Sequence, residues 1–223
     1  MFKDCHNILS IDLSSFRTPK AQVLWDIFEN CYALTSLDLS NFDTSLVTDM
    51  EDMFYNCYNL EYLNLKNFID HINKYTINIF TNIPKNAVVC IYQKKSPTLY
   101  KLISSISCIT ISCVEDWRSV QQKIISDTGE CVSQCIGTSY EYEYKGKCYS
   151  SCPVNTTGYN HKCYPCNSNC KTCNYDINTQ TGSICTSCYD NKYLHKGNCI
   201  YNCKNGHYTE STIKICKCEE FNK

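Results

Sequence analysis

The stretch Leu37-Asp38-Leu39-Ser40-Asn41-Phe42-Asp43-Thr44-Ser45-Leu46-Val47-Thr48-Asp49-Met50 decides the fold. Leu37 and Leu39 alternate with Ser36, Asp38 and Ser40, the period-2 pattern of a short strand with one apolar face and one polar face. Downstream, Val47, Met50, Phe54 and Cys57 fall at the spacings of one stripe on a 3.6-residue helix. Thr48 followed by Glu51 has the capping-box spacing near the start of that helix.

The pattern recurs every 26 residues over three and a half copies. Cys5, Cys31 and Cys57 align, as do Ile11, Leu37 and Leu63; Leu13, Leu39 and Leu65; Phe16, Phe42 and Phe68; and Phe28, Phe54 and Phe80. One copy cannot bury its apolar strip alone, so consecutive copies must stack. The expectation is an α/β leucine-rich-repeat solenoid, strand then helix in each copy, with parallel strands along one side. Ile83 stands where Cys57 is expected in the fourth copy, so Cys5, Cys31 and Cys57 read as small buried apolar groups, not disulfide partners.

Asn86 to Tyr92 reads as a fourth strand. Ser96-Pro97 opens a helix carrying Leu99, Leu102, Ile103 and Ile106, and Cys108 to Cys113 alternates as another strand. This strand-helix-strand unit has the character of a cap on the stack. A further helix is expected at Trp117, Val120 and Ile124, stopped by Gly129. The organisation is therefore repeats over residues 1–92, a cap over 93–114, a connecting helix over 115–130, and a small disulfide-rich, loop-dominated region over 131–223.

From Cys131 onward aliphatic residues are too few to form a core, so covalent staples must stabilise the chain. Cysteines come in close pairs: Cys131 and Cys135, Cys148 and Cys152, Cys163 and Cys166, Cys170 and Cys173, Cys185 and Cys188, Cys199 and Cys203, Cys216 and Cys218. Cys170, Cys173, Cys185 and Cys188 also have zinc-ribbon-like ligand spacing, which leaves a metal alternative open. The remaining cysteines form no comparable second quartet and would lack a purpose in a reducing compartment, which favours disulfides. Asn155-Thr156-Thr157 is a glycosylation sequon in a loop-like stretch.

With Lys+Arg 21 against Asp+Glu 22, the net charge of −1 supplies no basic field for nucleic acid. No window approaches the uninterrupted apolar length of a spanning helix. His6, His71, His161, His195 and His207 are scattered, and no G-x-S-x-G, H-E-x-x-H or phosphate-loop pattern occurs. The expectation is a non-enzyme, with no cofactor, no catalytic residues and no metal ligands.

Two resemblances add to this reading. Residues 27–57, with Leu37 to Ser45 and Val47 to Met50 as their most specific part, resemble the BspA-type leucine-rich repeat, and the likeness covers residues 1–92. The first copy departs from the pattern, with Arg17-Thr18-Pro19 in place of Asp43-Thr44-Ser45. That family implies surface proteins of bacteria and protists, many implicated in attachment; joined to a cysteine-rich half, the chain is more similar to a protist protein. The half from Cys131 to Cys218 resembles the furin-like, growth-factor-receptor type of cysteine-rich repeat. This second resemblance implies the pairs Cys135–Cys148, Cys152–Cys163, Cys166–Cys173, Cys170–Cys185, Cys188–Cys199 and Cys203–Cys216. What then remains is Cys131 with Cys113 or Cys108, Cys90 with the other, and Cys218 without a partner. Under a chain-entropy model each such loop contributes ~3 kcal/mol.

The polar strand positions Ser10, Asp12 and Ser14, then Ser36, Asp38 and Ser40, then Tyr62, Asn64 and Lys66 are expected on one exposed face. Asp12, Asp38, Tyr62, Asn64 and Lys66 are the candidate binding residues, with Tyr62 as the anchor for a protein partner. The same residues also fit a plainly solvated strand face. The expected function is that of an extracellular, cell-surface protein binding an extracellular or host-surface protein. A receptor ectodomain in signalling and an intracellular zinc-binding scaffold are the alternatives. Met1 falls in the register of Ile27 and Met53, mid-repeat, so the chain reads as a fragment whose membrane anchor, if present, lies outside it.

Overall fold

The computed structural model describes residues 1–70, 75–189, 192–202, 207–210 and 215–218. They divide into two compact units, Met1–Ile124 with Glu130–Ser133, and Ile125–Gly129 with Gln134–Lys223.

In the first unit the strand expected around Leu37 is β1 (Ser36–Asp38), followed by β2 (Tyr62–Asn64) and β3 (Val88–Cys90). All pair in parallel and in register: Ser36 with Tyr62 with Val88, and Leu37 with Leu63 with Val89. Leu37, Leu63 and Val89 are buried, and Ser10 extends the ladder by one bridge to Ser36. Beneath the strands Phe2, Phe28, Phe54 and Phe80 stack with ring centroids 5.5, 6.0 and 5.9 Å apart and nearly parallel planes. Full burial of each Leu or Phe side chain of this core stabilises by about 1.5–3 kcal/mol.

The expected α/β leucine-rich-repeat solenoid is not what forms. The described residues are mostly short strands in four small sheets, with one short α-helix, and the helix expected in each copy is absent. Asp49 instead forms parallel bridges, and residues 51–56 run as turns. The reason lies in the Asn and Asp residues of this segment. Asp26 and Asn30, Asp52 and Asn56, and Asn78 and Asn82 all have positive φ, between 53° and 64°. A residue in that left-handed region cannot sit inside a right-handed helix. The backbone N–H groups of Phe28, Asn30, Phe54 and Asn56 consequently donate to carbonyls one copy further on, those of Met53, Tyr55, Ile79 and Thr81. A second parallel ladder replaces the helices. Nor is there a capping box: the Thr48 N–H and hydroxyl both donate to the Gln22 carbonyl, at 2.8 and 3.2 Å.

Helix α1 (Pro97–Ser104) opens on its proline, and its Leu99 N–H donates to Oδ2 of Asp70 at 2.7 Å. Leu99 and Ile103 face inward, whereas Leu102, expected on the same face, is exposed. The next strand, β4 (Thr110–Ile111), pairs in parallel with β3. The helix expected at Trp117, Val120 and Ile124 is also corrected. A single 3-10 turn (Trp117–Ser119) precedes β5 (Lys123–Ile125), where Ile124 pairs with Cys131 of β6 (Cys131–Val132). Cys131 is itself bonded to Cys108, so the strand partner is covalently held where Ile124 meets it.

The second unit's described elements are strands: β7 (Tyr142–Tyr144), β8 (Lys147–Tyr149), β9 (Thr156–Tyr159), β10 (Lys162–Pro165), β11 (Cys170–Asp176), β12 (Thr181–Cys188), β13 (Tyr193–His195), β14 (Asn198–Ile200), β15 (His207–Glu210) and β16 (Ile215–Cys218). Three hairpins close through two residues that both have positive φ: Lys145-Gly146, Asn160-His161 and Lys196-Gly197. That is the turn geometry whose twist matches paired strands.

Candidate protein-binding surface

The polar strand positions are brought together, but as a hydrogen-bonded column. Oδ1 of Asp12 accepts from the Ser14 N–H at 2.9 Å, Oδ1 of Asp38 from the Ser40 N–H at 2.8 Å, and Oδ1 of Asn64 from the Lys66 N–H at 3.2 Å. Each is a local turn that offers the backbone another acceptor, and those at Asp38 and Asn64 end β1 and β2. Hydrogen bonding from Ser14 holds the Asp12 carboxyl below its ordinary pKa. Asn64 is buried and donates through Nδ2 to Oδ2 of Asp38 at 3.1 Å. Asp12 and Asp38 remain exposed, and Lys66 is half-buried.

Tyr62, the expected anchor, is half-buried beneath Trp117. The rings stack at 5.3 Å with planes 10° apart, and the Arg118 guanidinium lies 4.2 Å from the Trp117 ring. Burial, assisted by the Asp38 charge, raises the Tyr62 pKa. Tyr62 thus anchors residues 117–119 of its own chain, a non-local contact that strand alternation in the sequence does not reveal.

The second ladder contains what the sequence reading missed. Val23 bridges to Asp49 and Asp49 to Tyr75, and on the outer side Val23 is 50%, Trp25 60%, Tyr75 63% and Ile77 56% exposed. Leu24, between Val23 and Trp25, and Met50, between Asp49 and Glu51, point inward and are buried. The signal was present in Val23-Leu24-Trp25, which alternates out, in, out. Reading the segment as a helix concealed it.

Among the described residues Cys5, Cys31 and Cys57 are the unpaired cysteines. The Sγ of Cys31 donates to the Phe2 carbonyl and that of Cys57 to the Phe28 carbonyl, at 3.1 and 3.2 Å. Burial pushes the Cys31 thiol up to about 11 and the Cys57 thiol to about 12.

Among the described residues seven disulfides join Cys90–Cys113, Cys108–Cys131, Cys135–Cys148, Cys152–Cys163, Cys166–Cys173, Cys170–Cys185 and Cys188–Cys199. Cys170, Cys173, Cys185 and Cys188, the quartet with zinc-like spacing, are all bonded to other sulfurs. Cys203 and the side chains of Cys216 and Cys218 lie outside the described residues, and with them the expected Cys203–Cys216 pair. Asn155, the sequon asparagine, is exposed in the turn before β9 with φ 63°, and its Oδ1 accepts from the Tyr189 hydroxyl at 3.0 Å.

Residues 1–85 match a family profile described as Mycoplasma protein of unknown function, DUF285. The chain is also similar to mouse proprotein convertase subtilisin/kexin type 5, 28% identical over 107 residues, which is 48% of this chain and 5% of that protein. Human and bovine R-spondin-3 are each 37% identical over 79 residues, 33% of this chain and 28% of theirs. The chain therefore spans a small part of each of these relatives. The convertase likeness covers so little of that protein that its catalysis does not carry over to this chain. No helix among the described residues is long and apolar enough to cross a membrane. Disulfides on this scale persist only in an oxidising compartment, so the chain is a disulfide-stapled protein of the secreted or extracellular kind, similar to DUF285 in front and to furin-like cysteine-rich proteins behind.

Proposed function

We propose that this protein is a recognition or adhesion protein outside the cytosol. Its ladder unit binds a protein of a neighbouring cell, host surface or matrix, and its cysteine-rich half is a stapled stalk. The observation supporting this is the combination of seven disulfides with a front unit whose exposed side chains lie in columns repeated from copy to copy. A repeated column of side chains on a rigid ladder offers a partner an extended, preorganised surface.

The test is retention of cells or matrix proteins by the immobilised, oxidised chain, against a disulfide-rich control protein of the same size. Retention that soluble chain competes away is the expected result. Retention no greater than the control overturns the proposal. Lys66→Glu separates the faces: reduced retention assigns the strand face, whereas full retention moves binding off it.

A further inference from the structure

The outer side of the second ladder carries three rows of two side chains. Val23 and Trp25 form the first, Asp49 and Glu51 the second, Tyr75 and Ile77 the third. The rows are hydrogen-bonded neighbours: Leu24 N–H donates to the Asp49 carbonyl at 2.8 Å, and Met50 N–H to the Tyr75 carbonyl at 2.8 Å. Adjacent rows of such a ladder stand about 4.8 Å apart. Four large apolar side chains, each half or more exposed, thus flank one acidic row. Oδ1 of Asp49 accepts from the Glu51 N–H at 2.9 Å, which fixes the first carboxylate in place. Among the described residues neither Asp49 nor Glu51 has a cation partner, and the nearby Lys3 is held by Asp26 and Glu29.

We propose that this surface docks a basic segment of a protein partner, one Lys or Arg seated on the Asp49–Glu51 row with apolar neighbours lying on Trp25 and on Tyr75 with Ile77. Charge decides among occupants. A second copy of the chain would bring acidic row against acidic row, and an anionic lipid surface would be repelled by the same carboxylates. A cation between two apolar rows meets complementary chemistry on all sides, and partial desolvation by the flanking rings strengthens the ion pair. The assignment rests on the proposed recognition function only in taking a protein as the partner.

The experiment uses the whole oxidised chain and a synthetic decapeptide alternating Lys with Leu. One control peptide has Glu in place of Lys, a second has Ser in place of Leu, and phosphatidylserine vesicles form a third arm. The chain has two tryptophans, and Trp117 is buried, so peptide-induced change in exposed-tryptophan emission reports Trp25; a Trp25→Phe variant checks the attribution. The Lys–Leu peptide is expected to bind and both controls to fail. Glu51→Lys is expected to weaken binding about tenfold or more, equal to a change of ~1.4 kcal/mol. Ile77→Ser, which leaves the charge untouched, is expected to weaken it as well, and it serves where Glu51→Lys alters the circular dichroism. Equal binding of the Glu peptide, affinity indifferent to both substitutions, or a preference for the vesicles overturns the assignment. Loss of peptide binding with intact cell retention removes this inference alone. Peptide binding without cell retention removes the recognition function instead.

Discussion

Asn56 donates through Nδ2 to Oδ1 of Asn30 at 2.8 Å, and its own Oδ1 accepts from Nδ2 of Asn82 at the same distance. Asn30 passes the chain on to Asp4. This side-chain ladder runs alongside the stacked phenylalanines, through residues that also hold positive φ. Asn suits both tasks: it tolerates the left-handed region and carries a donor and an acceptor on one short side chain. Asn56→Ala removes both properties and is expected to lower stability by about 2–4 kcal/mol. Asn56→Gly keeps the backbone conformation, loses only the ladder, and costs about 1–2 kcal/mol less. Chemical denaturation of the two variants checks the order; equal losses would mean the backbone conformation contributes nothing.

The thiols of Cys31 and Cys57 titrate above their ordinary range because they are buried. The unfolded chain releases these protons from about pH 8.5, whereas the folded chain retains them until about 11 and 12. The folded state therefore binds more protons across that window, and stability falls as pH rises through it, while below it the contribution is fully present. Replacing both cysteines with valine should flatten this part of the stability-versus-pH curve. In native protein at pH 8, iodoacetamide should leave both thiols unmodified, and their rapid alkylation would contradict the burial.

Gly182 sits where a Cβ would come within 2.6 Å of the Pro165 carbonyl oxygen and 2.9 Å of the Cys173 sulfur. Backbone cannot yield cheaply there. Gly182→Ala should destabilise by about 1–3 kcal/mol through overpacking. On oxidative refolding it should also yield mispaired isomers around Cys166–Cys173, visible as extra peaks in non-reducing peptide mapping. A single native-like product would count against that close approach.

Asn155 is exposed and opens a turn, so a eukaryotic secretory host should glycosylate it. Digestion with peptide-N-glycosidase should lower the mass of the wild-type chain and leave Asn155→Gln unchanged. A wild-type chain insensitive to the enzyme would remove the site.

Removing the Cys170–Cys185 bridge by double substitution to serine opens a loop of sequence separation 15. The expected cost is ~3 kcal/mol. It should appear as earlier proteolysis within β11 and β12, with the front unit's transition unmoved.

The 26-residue register was legible because leucines and phenylalanines repeat in it, and it led directly to Leu37 beside Leu63 beside Val89. What misled the reading was the stretch from Val47 to Cys57. Its apolar spacing fits a helical stripe, but the positive φ of Asp52 and Asn56 is a backbone property that hydrophobic periodicity does not register. The recurrence of Asn or Asp at 26, 30, 52, 56, 78 and 82 was the available clue. The stacking of Trp117 on Tyr62 joins residues remote in sequence, and no local pattern encodes it. The close cysteine pairs marked a stapled region, yet the partners from Cys135 onward came from resemblance to a family, and those among Cys90, Cys108, Cys113 and Cys131 stayed open, since spacing alone permits many connectivities.

Cys90 is bonded to Cys113 and Cys108 to Cys131, so the two closed loops overlap between 108 and 113. Tension drawn along the chain from beyond Cys131 therefore jumps to Cys108 and passes by the intervening segment, including Trp117. It then divides, one branch following the backbone through α1 and the other crossing from Cys113 to Cys90 at the end of β3. A tether pulled from that side loads the Cys108–Cys131 bond in place of the backbone between Cys113 and Cys131, and the strap that shields Tyr62 stays slack.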